Sequence, residues 1–246
     1  MSQSIKGIFF DLGDTLMYDK DAWPPIFPRA DAALWKVLHE AGVRLEPRDV
    51  YGEFDNIFDL YYFQRESDLN EPTTHSVLDK LLRDKGYSLQ AETIQAALRA
   101  MYAITQANWY VEEDAVPTLE QLKRKGYRIG YLSNAADDEN TQTLIDQCGL
   151  RAYAEFIISS GAFGTRKPHP GIFQAGLKYF QLTPDQAVMV GDTLNADILG
   201  ANQIGMKSIW ITRRAQRDPE EERRIRPDLI LPSLSEIPSN LHRLEN

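Results

Sequence analysis

Cysteine is almost missing from this chain. Cys148 is the only one in 246 residues, so no internal disulfide can form and a reducing compartment, the cytoplasm, is expected. Positive charge is short as well: 27 Lys and Arg stand against 36 Asp and Glu, for a net charge of −9. No segment needs a basic face to explain it, which argues against generic nucleic-acid binding and against adhesion to anionic membranes. A small anionic substrate stays open, because a metal or a few local cations can invert the field inside one cleft. Long apolar runs are lacking, and the opening MSQSIKGIFF is too short in its apolar part for a signal peptide or a membrane span. There is no low-complexity tract and no internal repeat. The four histidines, His39, His75, His169 and His242, lack ligand spacing, and His169 beside Lys167 reads as loop packing.

What is present is a chain that is 43% hydrophobic and long enough for one α/β domain with an insertion. Three apolar, β-rich runs each stop at a polar cluster. IKGIFFD stops at Asp11, YRIGYLSN at Ser133 and Asn134, and AVMVGD at Gly191 and Asp192. Short apolar runs separated by helical patterns predict parallel strands buried on both faces. In such sheets ligands occupy the crevice beyond the carboxyl ends of the strands, so the three clusters can converge on one site. KSIWI and DLIL predict two further strands. Thr118 and Gln121 suggest a capping box for a helix ending at Gly126. Residues 170–180 read as a helix, as do those from about Asn195 to Gly205. The mixed-charge stretch RRAQRDPEEERRIRP reads as a solvated loop or short helix.

Residues 18–113 follow a different pattern. Their periodic apolar sets (Ala30, Leu34, Val37, Leu38, Ala41; Val77, Leu78, Leu81, Leu82; Ala91, Ile94, Leu98, Met101, Ile104) are helical, with turn signals at Gly42, Pro47, Pro72 and Gly86. No strand is predicted there. The segment reads as an inserted all-helical domain, between core segments 1–17 and 114–246. Its aromatics Phe54, Phe58, Tyr61, Tyr62 and Phe63 are expected in its core.

The strand ends supply a coherent chemistry. Asp11 is a candidate nucleophile, since a carboxylate can form an ester that water then cleaves. Ser133 and Asn134 offer neutral donors to an anionic group. Lys167, in GTRKPHPGIF, offers a compact positive charge for an oxyanion. GDTLNAD brings Asp192 and Asp197 near a helix start. Three acids in one place would repel unless a divalent cation joined them, and carboxylates with a phosphate describe a magnesium site.

In order and in kind, FFDLGDTL, YLSN, TRKPHPGIF and VGDTLNADILGA resemble the motifs of the haloacid dehalogenase-like hydrolase superfamily, across essentially the whole chain. The resemblance implies a Rossmann-like doubly wound parallel core with a helical cap. It also implies a magnesium-dependent phosphatase acting on a small phosphorylated metabolite through a phosphoaspartyl intermediate. Carried over by position, Asp11 is nucleophile and metal ligand, the backbone carbonyl of Gly13 a second ligand and Asp192 a third. Asp197 supports the metal shell or the lysine. Ser133 binds the phosphoryl group, with Asn134 beside it, and Lys167 neutralises its charge.

One departure stands out. Family phosphatases usually read DxDGT, with an acid/base two residues after the nucleophile. Here that position is Gly13 and the acid is Asp14, where glycine is usual. Asp14 either swings in as acid/base or caps the turn. Two other readings are a carbon–halogen hydrolase, a branch that also lacks the second acid, and a non-catalytic protein that binds a phosphorylated ligand or a protein partner. Val190, Gly191 and Asp192 stand where the dehalogenase branch carries Ser-Ser-Asn, and favour a metal. Candidate specificity residues near the cap–core junctions are Tyr18, Asp19, Trp23, Gln64 and Arg65.

Overall fold

The three apolar runs lie next to one another at the centre of a single parallel sheet. The computed structural model describes residues 4–45 and 68–245. Its strands are β1 (Gly7–Phe10), β2 (Met17–Asp19), β3 (Trp109–Val111), β4 (Arg128–Ser133), β5 (Phe156–Ser159), β6 (Ala187–Gly191), β7 (Lys207–Ile211) and β8 (Leu229–Leu231). The main sheet runs β5-β4-β1-β6-β7-β8 with every neighbouring pair parallel. Leaving out the β2–β3 pair, that is the doubly wound order 3-2-1-4-5-6, whose direction reverses between β1 and β6. Phe10 lies opposite Tyr131 on one side and Val190 on the other, so the polar clusters that follow β1, β4 and β6 emerge at nearly one level.

Side chains alternate along β1 and feed two cores. Ile8 and Phe10 join Tyr131, Val188 and Ile209 on one face, while Phe9 joins Phe173, Phe180 and Met189 on the other. Burial on both faces is why the run is uniformly apolar. The helices α1 (Phe27–Glu40), α2 (Thr74–Asp84) and α3 (Ala91–Gln106) pack a separate core of Leu34, Leu38, Leu78, Leu82, Ile94 and Leu98. These are the predicted periodic positions. The aromatics at Phe54, Phe58 and Tyr61 to Phe63 lie outside the described residues. Among the described residues no helix is long and apolar enough to cross a membrane.

Four expectations need revision. Strands β2 and β3 pair antiparallel, Met17 with Val111 and Asp19 with Trp109, at the two ends of a segment read as strand-free. Each is three residues long and its partner is some ninety positions away, so neither leaves a local signal. β5 was likewise not predicted. The Thr118–Gln121 capping box is not formed: α4 (Ala115–Arg124) starts earlier, and Thr118 is buried inside it. Pro117 falls within the first turn, where its missing N–H costs nothing. Gly126, at φ +89°, does end that helix region. The mixed-charge stretch contains a short helix, Pro219–Arg224, but it is not solvated throughout. Arg213 and Arg214 fold back onto buried Glu112, and Arg213 also forks onto Asp114.

Gly130, in the middle of β4, shows how tightly the sheet is covered. A Cβ there would overlap the Phe156 ring, which is itself held against Phe9 and Phe180 at centroid distances of 5.4 and 4.9 Å. Gly130→Ala should destabilise the protein by about 1–3 kcal/mol. Urea unfolding of the variant checks this, and an unchanged midpoint would show that the ring yields freely.

Candidate active site

Asp11 leaves β1 at the reversal point of the sheet, its N–H bonded to the Val190 carbonyl at 2.9 Å. Lys167 meets it there. Lys167 Nζ donates to Asp11 Oδ1 at 2.6 Å, to Asp197 Oδ1 at 2.6 Å and to the Leu132 carbonyl at 2.8 Å. Three acceptors therefore use the three donors of one buried ammonium. Burial works against its charge, but the Asp11 and Asp197 carboxylates outweigh it and its pKa is raised.

The loop that carries the lysine is fixed by Asn134. The Asn134 side chain accepts from the Lys167 N–H at 2.8 Å and donates to the Lys167 carbonyl at 3.0 Å. The Asn134 amide thereby positions the Lys167 backbone. Ser133 ends β4 at the cavity wall, almost fully buried. His169 sits nearby but caps the helix Pro170–Phe180, its Nδ1 accepting from the Gly171 N–H.

The third strand end supplies the other acids. Asp192 Oδ1 accepts from Thr15 Oγ1 and Oδ2 from Thr193 Oγ1, both at 3.3 Å, while its carbonyl holds Trp210 Nε1 at 2.6 Å. A π-type turn at Leu194–Ile198, replacing the simple helix start that was expected, turns Asp197 inward. Asp197 Oδ2 then accepts from the Thr193 N–H at 3.1 Å. Its carboxylate fills the space where a Cβ at residue 191 would stand, so position 191 has to be glycine.

Asp11, Asp192 and Asp197 each bring a carboxylate oxygen within 4.8 Å of the others. Three carboxylates and one ammonium leave a net charge of −2 when all are ionised. Burial, with Asp11 and Asp197 adding repulsion, pushes Asp192 up to about 8. Burial pushes Asp197 up to about 6 even though Lys167 opposes it. An all-oxygen set with a residual double negative charge fits a hard divalent cation, and magnesium is the one such sites take with a phosphate.

The reversed Gly13–Asp14 pair makes an inverted turn. Asp14 is in the left-handed region at φ +56°, the conformation that suits glycine, whereas Gly13 is not. A Cβ at Gly13 would lie 3.5 Å from the Trp109 ring, an ordinary contact. Asp14 is half-buried at the rim, its pKa raised by burial and by neighbouring Asp19, with Arg214 opposing. Trp109, from β3, and Met17, from β2, line a cavity of about 330 Å³ together with Asn140, Thr141, Leu144 and Arg166. Tyr18, Asp19 and Trp23 do not line it. Tyr18 lies under the Arg214 guanidinium at 3.6 Å, and Trp23 stacks on Phe27. Gln64 and Arg65 lie outside the described residues. Thr15, Thr193, Trp109 and Arg166 were not anticipated. The two threonines had a signal, each directly following or nearly following a site acid; Trp109 had none.

A family model for haloacid dehalogenase-like hydrolases matches residues 5–205. The chain belongs to that family. This hydrolase is 30% identical over 243 residues to a glyceraldehyde 3-phosphate phosphatase of Pyrococcus furiosus, covering 98% of this chain and 93% of the relative. Among solved structures it resembles a 2-haloacid dehalogenase from Pseudomonas syringae pv. Tomato, with a TM-score of 0.69 and 26% identity over 97% and 99% of the two chains. A HAD phosphatase from Thermococcus onnurineus shares the fold, with a TM-score of 0.65 and 21% identity over 98% of the hydrolase and 100% of that chain.

The acid cluster makes a signed prediction. The folded pKa of Asp192, about 8, lies above its ordinary value of 3.8, so the fold retains a proton that the unfolded chain releases. Its contribution to stability is present below the ordinary value and is lost as pH rises through about 8. Without divalent cations, wild type should lose stability relative to Asp192→Asn between about pH 5 and pH 8. Magnesium should restore wild type and leave the variant nearly unmoved, by mass action on the folded state. Melting temperatures of both proteins across that range decide it; parallel curves with no magnesium response would remove the metal from the site.

Proposed function

We propose that this hydrolase is a magnesium-dependent phosphatase of a small phosphorylated sugar or related metabolite, with residues 18–113 acting as a cap over the core and Asp11 as nucleophile. The observation that carries the reading is the buried ammonium of Lys167 bridging Asp11 and Asp197 beside Asp192. The phosphatase relatives support the substrate class. A cytoplasmic setting belongs to the same proposal and rests on the lone Cys148.

Asp11, Asp192 and the Gly13 carbonyl would hold the magnesium, with Asp197 behind them. Bound there, the metal would supply Lewis-acid stabilisation of charge on the phosphoryl oxygens. The residues do the rest. Lys167 holds Asp11 Oδ1 and orients the carboxylate, which leaves the other oxygen for the substrate. That oxygen attacks phosphorus, the P–O bond to the leaving group breaks, and an aspartyl phosphate remains. Ser133 donates to the transferred group, whose charge Lys167 helps to balance. Water then adds to the aspartyl phosphate, releasing inorganic phosphate and restoring Asp11. The leaving oxygen takes a proton from Asp14 or from water.

Asp11→Asn is nearly isosteric and removes both the nucleophile and one anionic ligand, so it should abolish phosphate release while the melting transition persists. Parental turnover in the purified variant would end the covalent mechanism. The likeness to a dehalogenase structure favours a second reading, carbon–halogen hydrolysis. Halide release from 2-haloacids without magnesium, and no phosphate release with it, would select that reading. Binding of phosphate esters without turnover of any of them would select a non-catalytic role.

The inverted turn predicts a leaving-group signature. With no acid at position 13, aryl phosphates should far outrun alkyl phosphates, because general acid help is worth about 10²–10⁴-fold and matters most for basic leaving groups. Exchanging the pair, Gly13→Asp with Asp14→Gly, should flatten that dependence. The exchange should not harm the fold, since it returns glycine to the left-handed position. Asp14→Ala separates the two roles: selective slowing of alkyl phosphates marks Asp14 as the acid, and an unchanged ratio marks it as a turn residue. A flat dependence in wild type that survives Asp14→Ala would refute both.

A further inference from the structure

Trp109 takes no part in the bond-making steps, yet its ring lines the cavity that holds Asp11. Its Cη2 and Cζ3 atoms lie 3.5 and 3.8 Å from the place of a Cβ on Gly13, two residues after the nucleophile. The six-membered end of the indole therefore stands against the nucleophile loop. The backbone that carries it is tied on both sides of the tryptophan. Before it, Asn108 forms a closed clip: its Oδ1 accepts from the Asp21 N–H at 2.8 Å, and its Nδ2 donates to the Asp21 carbonyl at 2.9 Å. After it, the Glu112 N–H donates to the Leu16 carbonyl at 2.9 Å. The buried Glu112 carboxylate accepts from Arg213 Nη1 at 2.9 Å and from Arg214 Nε. Trp23 meets the indole at a centroid distance of 6.2 Å and is itself stacked on Phe27 at 5.4 Å.

Among the described residues that line the cavity, Trp109 is the bulkiest, and with Met17 and Leu144 it supplies large apolar surface. At about 330 Å³ the cavity is at the small end for ligand pockets, so the room beside Asp11 depends on the size of residue 109. A side chain anchored through both flanks of its strand yields little to an oversized ligand. Overfilling a packed space forces side chains off their rotamers or shifts backbone.

Resting on the phosphatase reading, we infer that Trp109 is a specificity-determining residue that limits the bulk of the leaving group, so that the substrates are phosphate monoesters of compact alcohols or phenols. The discrimination is steric. A pocket wall separates ligands that differ by a few carbon atoms when the larger one has nowhere to go.

Phenyl and naphthyl phosphate test this, because their leaving groups are of nearly equal basicity and different bulk. Wild type with magnesium should favour phenyl phosphate. Trp109→Ala should raise kcat/KM for naphthyl relative to phenyl phosphate by about tenfold or more, mainly through a lower KM for the larger ester. Trp109→Phe should move the ratio the same way by less, and it decides the matter if melting shows that the alanine variant does not fold. In the inactive Asp11→Asn background with magnesium, calorimetry should show the same order: Trp109→Ala tightens naphthyl phosphate relative to phenyl phosphate. A merely structural role for the indole would lower the melting temperature and leave both ratios where they were. Unchanged ratios in the folded variants, a wild type that already favours naphthyl phosphate, or no binding of either ester would overturn the inference. Binding that responds to Trp109 in this way, with no phosphate released from either ester by wild type, would instead overturn the phosphatase reading.

Discussion

One buried ammonium organises this protein's site. Lys167 is held between two carboxylates and a carbonyl with almost no solvent contact. Removing one partner from such a group leaves an uncompensated buried charge, typically a loss of about 3–5 kcal/mol. The elements around it are arranged accordingly. β1 delivers Asp11, β4 delivers the Leu132 carbonyl, the π-type turn after β6 delivers Asp197, and Asn134 fixes the lysine's own backbone. Each comes from the carboxyl end of a strand next to the reversal of the sheet, where the strand ends leave a crevice.

The lysine balances only part of the negative charge. Among the described residues, the Asp192 carboxylate is held by the hydroxyls of Thr15 and Thr193 and not by a cation. Its pKa near 8 is the electrostatic statement of that deficit. Hydroxyl donors cannot offset two neighbouring carboxylates at this depth, whereas a divalent cation can. The acid cluster therefore works against the stability of the folded chain, as expected of groups arranged for chemistry.

Much of this was legible in the sequence because the signals are local. A strand buried on both faces must be apolar throughout and must become polar where it meets the crevice, so GIFFD, YLSN and VMVGD marked both sheet and site. Helical periodicity likewise marked Leu34, Leu38, Leu78, Leu82, Ile94 and Leu98 as core. What could not be read depends on partners far away in the chain. β2 and β3 are too short to declare themselves, and with them went Trp109, which covers Gly13 from a position nearly a hundred residues later. That the Asn134 amide grips the Lys167 backbone is likewise invisible without the fold. Arg213 and Arg214 looked solvated because Glu112 and Asp114 lie on the other side of the sequence.

The inverted turn is a choice made against the backbone. A left-handed residue other than glycine costs of the order of 1 kcal/mol, less for aspartate, whose side chain bonds locally. Gly13 spends conformational freedom at a position whose φ does not require it. Placing Asp at 13 and Gly at 14 would lower both costs without a Cβ clash, since the nearest atom of Trp109 is 3.5 Å away. Backbone energetics thus do not account for the order Gly-Asp. What differs between the two orders is the space beyond the Cβ. An acid at 13 would have to share the cavity with the Trp109 ring, whereas an acid at 14 lies at the rim, next to Asp19 and within the field of Arg214. The order that the chain carries keeps the position against the Trp109 ring free of a side chain and puts the carboxylate on the next residue. The strain at Asp14 is the local cost of that arrangement.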